Sequence, residues 1–500
     1  MSAMLRVPPE LIEFSLREPP RSLLIRGEPG AGKSTLALTL LTAFRGRRIL
    51  LTTRVTSLEI EKDYPWLKTD AEGSVEVIEA LKGTSRVAST GRAMAASEVL
   101  IEPAKDEAEL EQLWLPDSLL DAFSRIKPGT PGMVVVDSWD ALVEHYVGGP
   151  RSSTDRLPDR EEVERLMLGL LGRNGVHLVL VVERDLPSQL DYLVDGVVAC
   201  TLSSAESRLE RWTHLKKMRG VRVEHPWYPF TLEGGRFLCI SPMPTDFQSR
   251  LKLPDPEPEP RPGWFWPGSA DFATQFGRLQ YGRMTSIEVD PDVPVEAARL
   301  FISPIESQVL TRAGRVLVIL PPSLSARDVW DTFRMVSSPE QFAANVRIFA
   351  PSGIAADGDA SELLEKVLVA GPTTGGPPMG TRMPEASRFL REGSATGVPN
   401  LGCIWLNGFH AAATEGPSPY SPDSFPALVQ KTLSGSTTHL LMIGAPNDPL
   451  LRSLQEIAST RISLKSRNGR VFVYGARPLT PPLVLTQSEN GAPYRLIRIV

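Results

Sequence analysis

Cysteine is scarce in this chain: Cys200, Cys239 and Cys403 lie far apart, and the six scattered histidines add no metal-ligand spacing. A disulfide framework and a zinc site are thereby excluded. No apolar run reaches the roughly 18 residues that suggest a transmembrane helix, and the start MSAMLRVPPELIEFSLREPP lacks the apolar centre of a signal peptide. The expectation is a cytoplasmic protein with no membrane partner. Excess positive charge is missing too. The net charge of -5 argues against wholesale attraction to nucleic acid and leaves only a local basic patch to consider. What is present, 42% hydrophobic and 23% charged residues, is the balance of a soluble globular chain. At 500 residues it is too long for one ordinary core, so two or more domains are expected.

Residues 254 to 268, PDPEPEPRPGWFWPG, alternate proline with charge and then turn aromatic. Proline fixes its torsion and lacks a donor, so this stretch reads as a stiff linker. The expected division is a first domain over 1–250, a linker over 251–268 and a second domain over 269–500. On both sides, short runs rich in Val, Ile and Leu alternate with helix-like segments, the pattern of a mostly parallel sheet flanked by helices. The runs also pair in order. SLLIRG, RRILLTT, GMVVVDS, HLVLVVERD and DGVVACTL in the first half match MTSIEVD, GRVLVILPP, LGCIWLNG, HLLMIGAPND and TRISLK in the second. We read this as a diverged internal duplication.

Residues 27 to 35 read GEPGAGKST. Gly27-x4-Gly32-Lys33-Ser34 is the phosphate-loop pattern, placed after the strand-like Ser22 to Ile25 and before a helix-like TLALTLLTAF. Glu28, Pro29, Gly30, Ala31 and Gly32 form the cradle, whose small residues free the backbone to point N–H groups at an anion. Lys33 is expected to reach the β- and γ-phosphates, and Ser34 to ligate Mg²⁺, with Thr35 beside it at the helix N-terminus. The metal also needs an acid at the tip of a neighbouring strand. Met133 to Val136 end at Asp137, which is assigned that role, with capping of the following helix as a compatible second one.

GEPGAGKST, VVVDSWDAL, DYLVDGVV and LKKMRGVRVEHPWYPFTLEGGRF together resemble the RecA-like ATPases of the KaiC and RadA group over most of residues 15 to 245. The resemblance implies tandem RecA-like P-loop domains, an α/β fold, and ATP with Mg²⁺ as cofactors. The loop reads phosphates rather than the base, so ATP and GTP stay open. Within that group the chain is similar to the archaeal gas-vesicle regulator D family (GvpD), on its architecture and on TTRVTS and DYPWL. That likeness implies regulation of a protein partner, a transcriptional activator.

Two departures qualify the resemblance. Members of the group commonly carry a glutamate pair at the tip of the strand after the P-loop helix, whereas Thr52, Thr53 and Arg54 offer no carboxylate there; Glu59 and Glu61 fall in the next element. Slow hydrolysis is therefore expected. In the second half VDPDVPVEAARL stands where the loop belongs, with Asp290 and Asp292 to repel phosphate, Pro291 and Pro294 to remove donors, and no lysine. LGCIWLNG offers only Asn407 in place of the acid. The second copy is expected to be degenerate and to bind no nucleotide.

Arg208, Arg211, Lys216, Lys217, Arg219 and Arg222 form a basic segment around Trp212 and His214. The resemblance implies that Lys217 and Arg219 reach a neighbouring subunit's phosphates, which would make the protein a homo-oligomer with Arg219 catalytic. A nucleic-acid backbone with Trp212 stacking, or a solvated hairpin, are the alternatives. The functional expectation is an ATP-binding regulator. A RadA-like DNA-dependent ATPase, with DNA binding not favoured by the charge, and a non-hydrolysing scaffold stand beside it.

Overall fold

The computed structural model describes residues 4–69, 74–81, 117–127, 129–147, 160–161, 164–165, 168, 176–243, 261–350, 361–370, 385, 388–394, 397–412, 422–488 and 492–500. Residues 254–260 of the proline-rich stretch lie outside them. The chain divides into two compact units, Met4–Ser241 with Ile499–Val500, and Pro242–Arg498.

The first unit is built on ten strands: β1 (Met4–Leu5), β2 (Ser22–Gly27), β3 (Arg47–Thr52), β4 (Glu76–Glu79), β5 (Gly132–Asp137), β6 (Val176–Val181), β7 (Gly196–Ala205), β8 (Arg208–Met218), β9 (Trp227–Thr231) and β10 (Leu238–Ile240). Their order is β1-β10-β9-β8-β7-β2-β6-β5-β3-β4. The stretch from β7 to β4 is parallel, and β7-β8-β9-β10-β1 is antiparallel. Parallel strands covered on both faces must be apolar almost throughout, and all of β6, VHLVLV, is buried. The β7–β8 hairpin turns at Glu206 and Ser207, both at positive φ, as a two-residue turn requires.

Strand alternation sorts the core into two layers. Leu23, Ile25, Leu50, Met133, Val135, Val179 and Val181 pack with Leu36, Ala37, Leu40 and Leu41 of helix α2. Here α1 is Pro9–Ser15, α2 is Lys33–Ala43 and α3 is Ser57–Asp63. Leu24, Ile49, Leu51, Val134, Val136, Leu178, Leu180 and Val182 pack on the opposite face. The first alternation, continued to Asp137 at the end of β5 and past the ends of β6 and β3 to Glu183 and Arg54, puts these three residues on the α2 side.

The second unit has a two-stranded ribbon, β11 (Trp264–Phe265) with β12 (Leu279–Gln280), and a ten-stranded sheet. The sheet comprises β13 (Met284–Val289), β14 (Arg315–Ile319), β15 (Val346–Ala350), β16 (Leu368–Ala370), β17 (Asn400–Trp405), β18 (Thr438–Gly444), β19 (Thr460–Arg467), β20 (Arg470–Arg477), β21 (Leu483–Thr486) and β22 (Arg495–Arg498). Its order is β16-β15-β14-β17-β18-β13-β19-β20-β21-β22. Read from the other end, this is the order of the first sheet with β13 for β2, β14 for β3, β17 for β5, β18 for β6 and β19 for β7. Each strand pair matched in the sequence occupies the same place in its sheet. The aromatic end of the stretch read as linker packs into this unit: Phe265 and Trp266 are buried, and a Cβ on Gly268 would meet the Pro304 carbonyl oxygen at 2.3 Å.

Candidate functional site

β2 delivers the loop to the carboxyl edge of the first sheet. Gly27 runs so close to β7 that a Cβ there would sit 2.0 Å from the Cys200 carbonyl oxygen, so only glycine fits. Gly30, at φ 75°, meets nothing within 4 Å. The loop is thus closely packed at its root and open at its crest. Glu28 and Pro29 are exposed, Ala31 is buried and donates its N–H to the Glu28 carbonyl at 3.1 Å, and Gly32 enters α2 at φ 84°. Thr35 is buried on the first turn of α2.

Lys33 turns its ammonium inward and donates to the carbonyls of Gly27 and Glu28, each at 2.8 Å. Burial lowers its pKa, opposed by Cys200, Asp137, Glu183 and Asp185. An anion inside the loop would relieve that desolvation cost. From β5, Asp137 takes a hydrogen bond from Ser34; burial raises the pKa of the carboxyl, while Ser34 and Lys33 lower it. A hydroxyl and one carboxylate are oxygen donors of the kind Mg²⁺ uses when phosphates complete its shell. Among the described residues no group of three or more His, Cys, Asp or Glu could hold a metal. An open glycine crest, an inward lysine and a Ser–Asp pair fit a phosphate chain with a hard divalent cation.

At the tip of β3, Thr53 Oγ1 accepts the Ser138 N–H at 2.9 Å, tying β3 to β5. Arg54 pairs with Glu183 at 2.7 Å. Glu59 is the capping-box residue of α3, accepting from Thr56 N at 2.8 Å, and Glu61 pairs with Lys68 at 2.7 Å. Both carboxylates have local structural work.

Arg208, Arg211, Lys216 and Lys217 of the basic segment lie on β8, the second strand of the β7–β8 hairpin, and Arg219 and Arg222 follow it. Arg211 Nη1 donates to the Gly30 carbonyl at 2.6 Å, a contact with the loop that sequence spacing did not signal. Lys217 and Arg219 are not brought to their own chain's loop. Gly27 lies beside Cys200, whereas Lys217 lies beside Val197, about 10 Å further back along β7. Lys217 Nζ caps the short helix Leu190–Leu193 by donating to the Asp191, Tyr192 and Val194 carbonyls at 2.8, 3.2 and 2.6 Å. Arg219 pairs with Asp195 at 3.4 Å. Trp212 is buried, its indole N–H on Glu210 at 3.1 Å, and His214 is stacked on Trp227, so the indole is not presented for base stacking.

In the second unit, five residues, 290 to 294, join β13 to the helix Val295–Thr311, as 28 to 32 join β2 to α2. The loop length survives and its chemistry does not. His177 and His439 anchor the register: Met133 faces His177 as Leu401 faces His439, and Ser22 faces Leu178 as Met284 faces Leu440. Counting from these pairs, Val289 stands for Gly27, Asp292 for Gly30, Pro294 for Gly32, Val295 for Lys33 and Glu296 for Ser34. The place of Asp137 is taken by Trp405, buried in the core, and not by Asn407 as the sequence suggested.

Residues 11–216 match the family described as GvpD gas vesicle protein, P-loop domain. The chain is similar to Protein GvpD2 of Halobacterium salinarum, 27% identical over 496 residues that cover 97% of this chain and 94% of that protein. It is also similar to Protein GvpD1 of the same organism, 26% identical over 357 residues that cover 68% of this chain and 61% of that protein. Among the described residues no helix is long and apolar enough to cross a membrane. The family model matches the phosphate-loop half and the likeness to GvpD2 runs along nearly the whole of both chains, which makes this chain similar to the GvpD proteins, with a P-loop domain in its first half.

Proposed function

We propose that this protein is a cytoplasmic regulator in gas-vesicle control that binds ATP with Mg²⁺ in residues 1–250, hydrolyses it slowly, and acts on a protein partner, a transcriptional activator by its resemblance. The observation that carries the nucleotide part is the convergence of Lys33, Ser34 and Asp137 at one edge of the sheet. Lys33 holds the β- and γ-phosphates and the loop amides cradle them. Ser34 and Asp137 hold the cation, which neutralises phosphate charge when bound. Residues 269–500 supply a platform for the partner, since their loop carries Asp292 and Pro294 where the first half has Gly30 and Gly32.

Lys217 and Arg219 lie away from their own loop, which supports action on the phosphates of a second copy. Turnover per subunit is then expected to rise with protein concentration and to fall at least tenfold in Arg219→Ala, in keeping with an arginine that stabilises transferring charge. Constant specific activity on dilution below the assembly threshold, read by native mass, would contradict the trans arrangement. For the regulatory part, capture of a single transcriptional activator is expected with ATP and to weaken in Lys33→Ala. Equal capture by both proteins would remove nucleotide control from the reading.

A further inference from the structure

The tip of β3 lacks the carboxylate that would orient water, and the sheet order brings one from elsewhere. β6 lies between the loop strand β2 and the acid strand β5. Ile25 and Asp137 both face Val181, and Glu183 follows two residues on, at the same edge. Two places on, it continues the alternation of Val179 and Val181 toward α2, as Asp137 continues that of Met133 and Val135. Its main chain is fixed, because its N–H donates to Asp140 Oδ2 at 2.9 Å and buried Asp140 is itself held by Arg160 at 2.5 Å. Its side chain is held by Arg54 at 2.7 Å, and Arg54 is 61% exposed. An exposed pair of this kind is weak, worth about 1 kcal/mol or less, so the carboxylate can leave it.

We propose that Glu183 is the carboxylate that orients and deprotonates the attacking water, and that Arg54 holds it out of action until nucleotide binding or assembly draws it away. The inference rests on the nucleotide reading above. When Glu183 is released, the water oxygen bonds to the γ-phosphorus while the bond from that phosphorus to the β–γ bridging oxygen breaks. The bond pair leaves on ADP, and the water proton passes to Glu183 and then to the departing phosphate. The degenerate copy supplies an internal comparison. In register with β5 and β6, and with β3 by Arg47 facing Gly132 as Arg315 faces Asn400, Arg54 is replaced by Pro322 and Glu183 by Ala445. Both members of the pair are absent from the half that lost the loop lysine and the metal acid. A pair needed only to hold the sheet together would have reason to persist in both halves.

The test uses the full chain with two readouts, calorimetric affinity for Mg²⁺ with a non-hydrolysable ATP analogue, and single-turnover ATP hydrolysis with recovery of the bound nucleotide. Glu183→Gln is expected to keep the analogue affinity within about threefold while slowing hydrolysis about 100-fold or more and leaving ATP rather than ADP on the protein. Arg54→Ala is expected to speed hydrolysis severalfold at unchanged affinity. Hydrolysis in Glu183→Gln at the wild-type rate with the analogue still bound would overturn this inference alone. Absence of analogue binding to the wild-type chain would overturn the nucleotide reading and this inference with it.

Discussion

The first and second halves of the chain share a strand order and a five-residue loop at the same point of the sheet, yet differ at Gly30, Gly32, Lys33, Ser34 and Asp137, the positions proposed to meet a phosphate or its cation. In the first half Gly30 leaves an open crest, Lys33 turns inward and Asp137 meets Ser34. In the second, Asp292, Val295 and Glu296 stand at the loop positions, and Trp405 is packed into the core where the acid would be. The scaffold has been retained because its strands are held by apolar packing that is indifferent to the loop. The site has been lost because it depended on a few residues that no packing requirement protects.

The largest effect that tests the shared scaffold is acid sensitivity. His177 and His439 occupy the same strand position in the two halves, and burial lowers both to about 4 from an ordinary value of 6.5. Between those two values the unfolded chain binds protons that the folded chain does not, so stability falls as pH drops from 6.5 toward 4. Each histidine is expected to remove about 3 kcal/mol across that window. Chemical denaturation followed across pH 4 to 7 measures it. Replacing both histidines by Gln should flatten the acid limb, whereas an unchanged limb would show that the buried rings are not its source.

A smaller effect separates the root of the first half's loop from its crest. Gly27→Ala pushes a Cβ into the Cys200 carbonyl and is expected to cost about 2 to 3 kcal/mol. Gly30→Ala meets open space and pays only for its positive φ, about 1 kcal/mol. Thermal unfolding of the two variants gives the order, and a reversed order would mean that the loop root is not where the structure puts it.

Much of this architecture is legible in the amino-acid sequence. The five matched strand runs were legible because parallel, doubly covered strands need near-continuous apolar residues, and both halves kept them. GEPGAGKST was legible as a P-loop because strand, loop and helix follow one another locally, and Asp137 was legible as the end of the apolar run Met133 to Val136. What escaped reading depends on sheet order. Glu183 lies in the quoted run HLVLVVERD, but its nearness to Lys33 and Arg54 exists only because β6 lies between β2 and β5. Trp405 was missed in favour of Asn407 because two residues of register are invisible without the pairing partner. The bond from Arg211 to Gly30 and the burial of Trp212 depend on the long hairpin, whose path across the sheet edge a charge count does not give.

One half of the chain is proposed to bind nucleotide and the other none, and calorimetric stoichiometry of Mg²⁺-ATP binding to the full chain reads the difference. One site per chain is expected, weakened about 10- to 100-fold in Lys33→Ala by loss of a charge-assisted contact, with no second set of sites in either protein. Two sites per chain, or a wild-type affinity retained in Lys33→Ala, would contradict it.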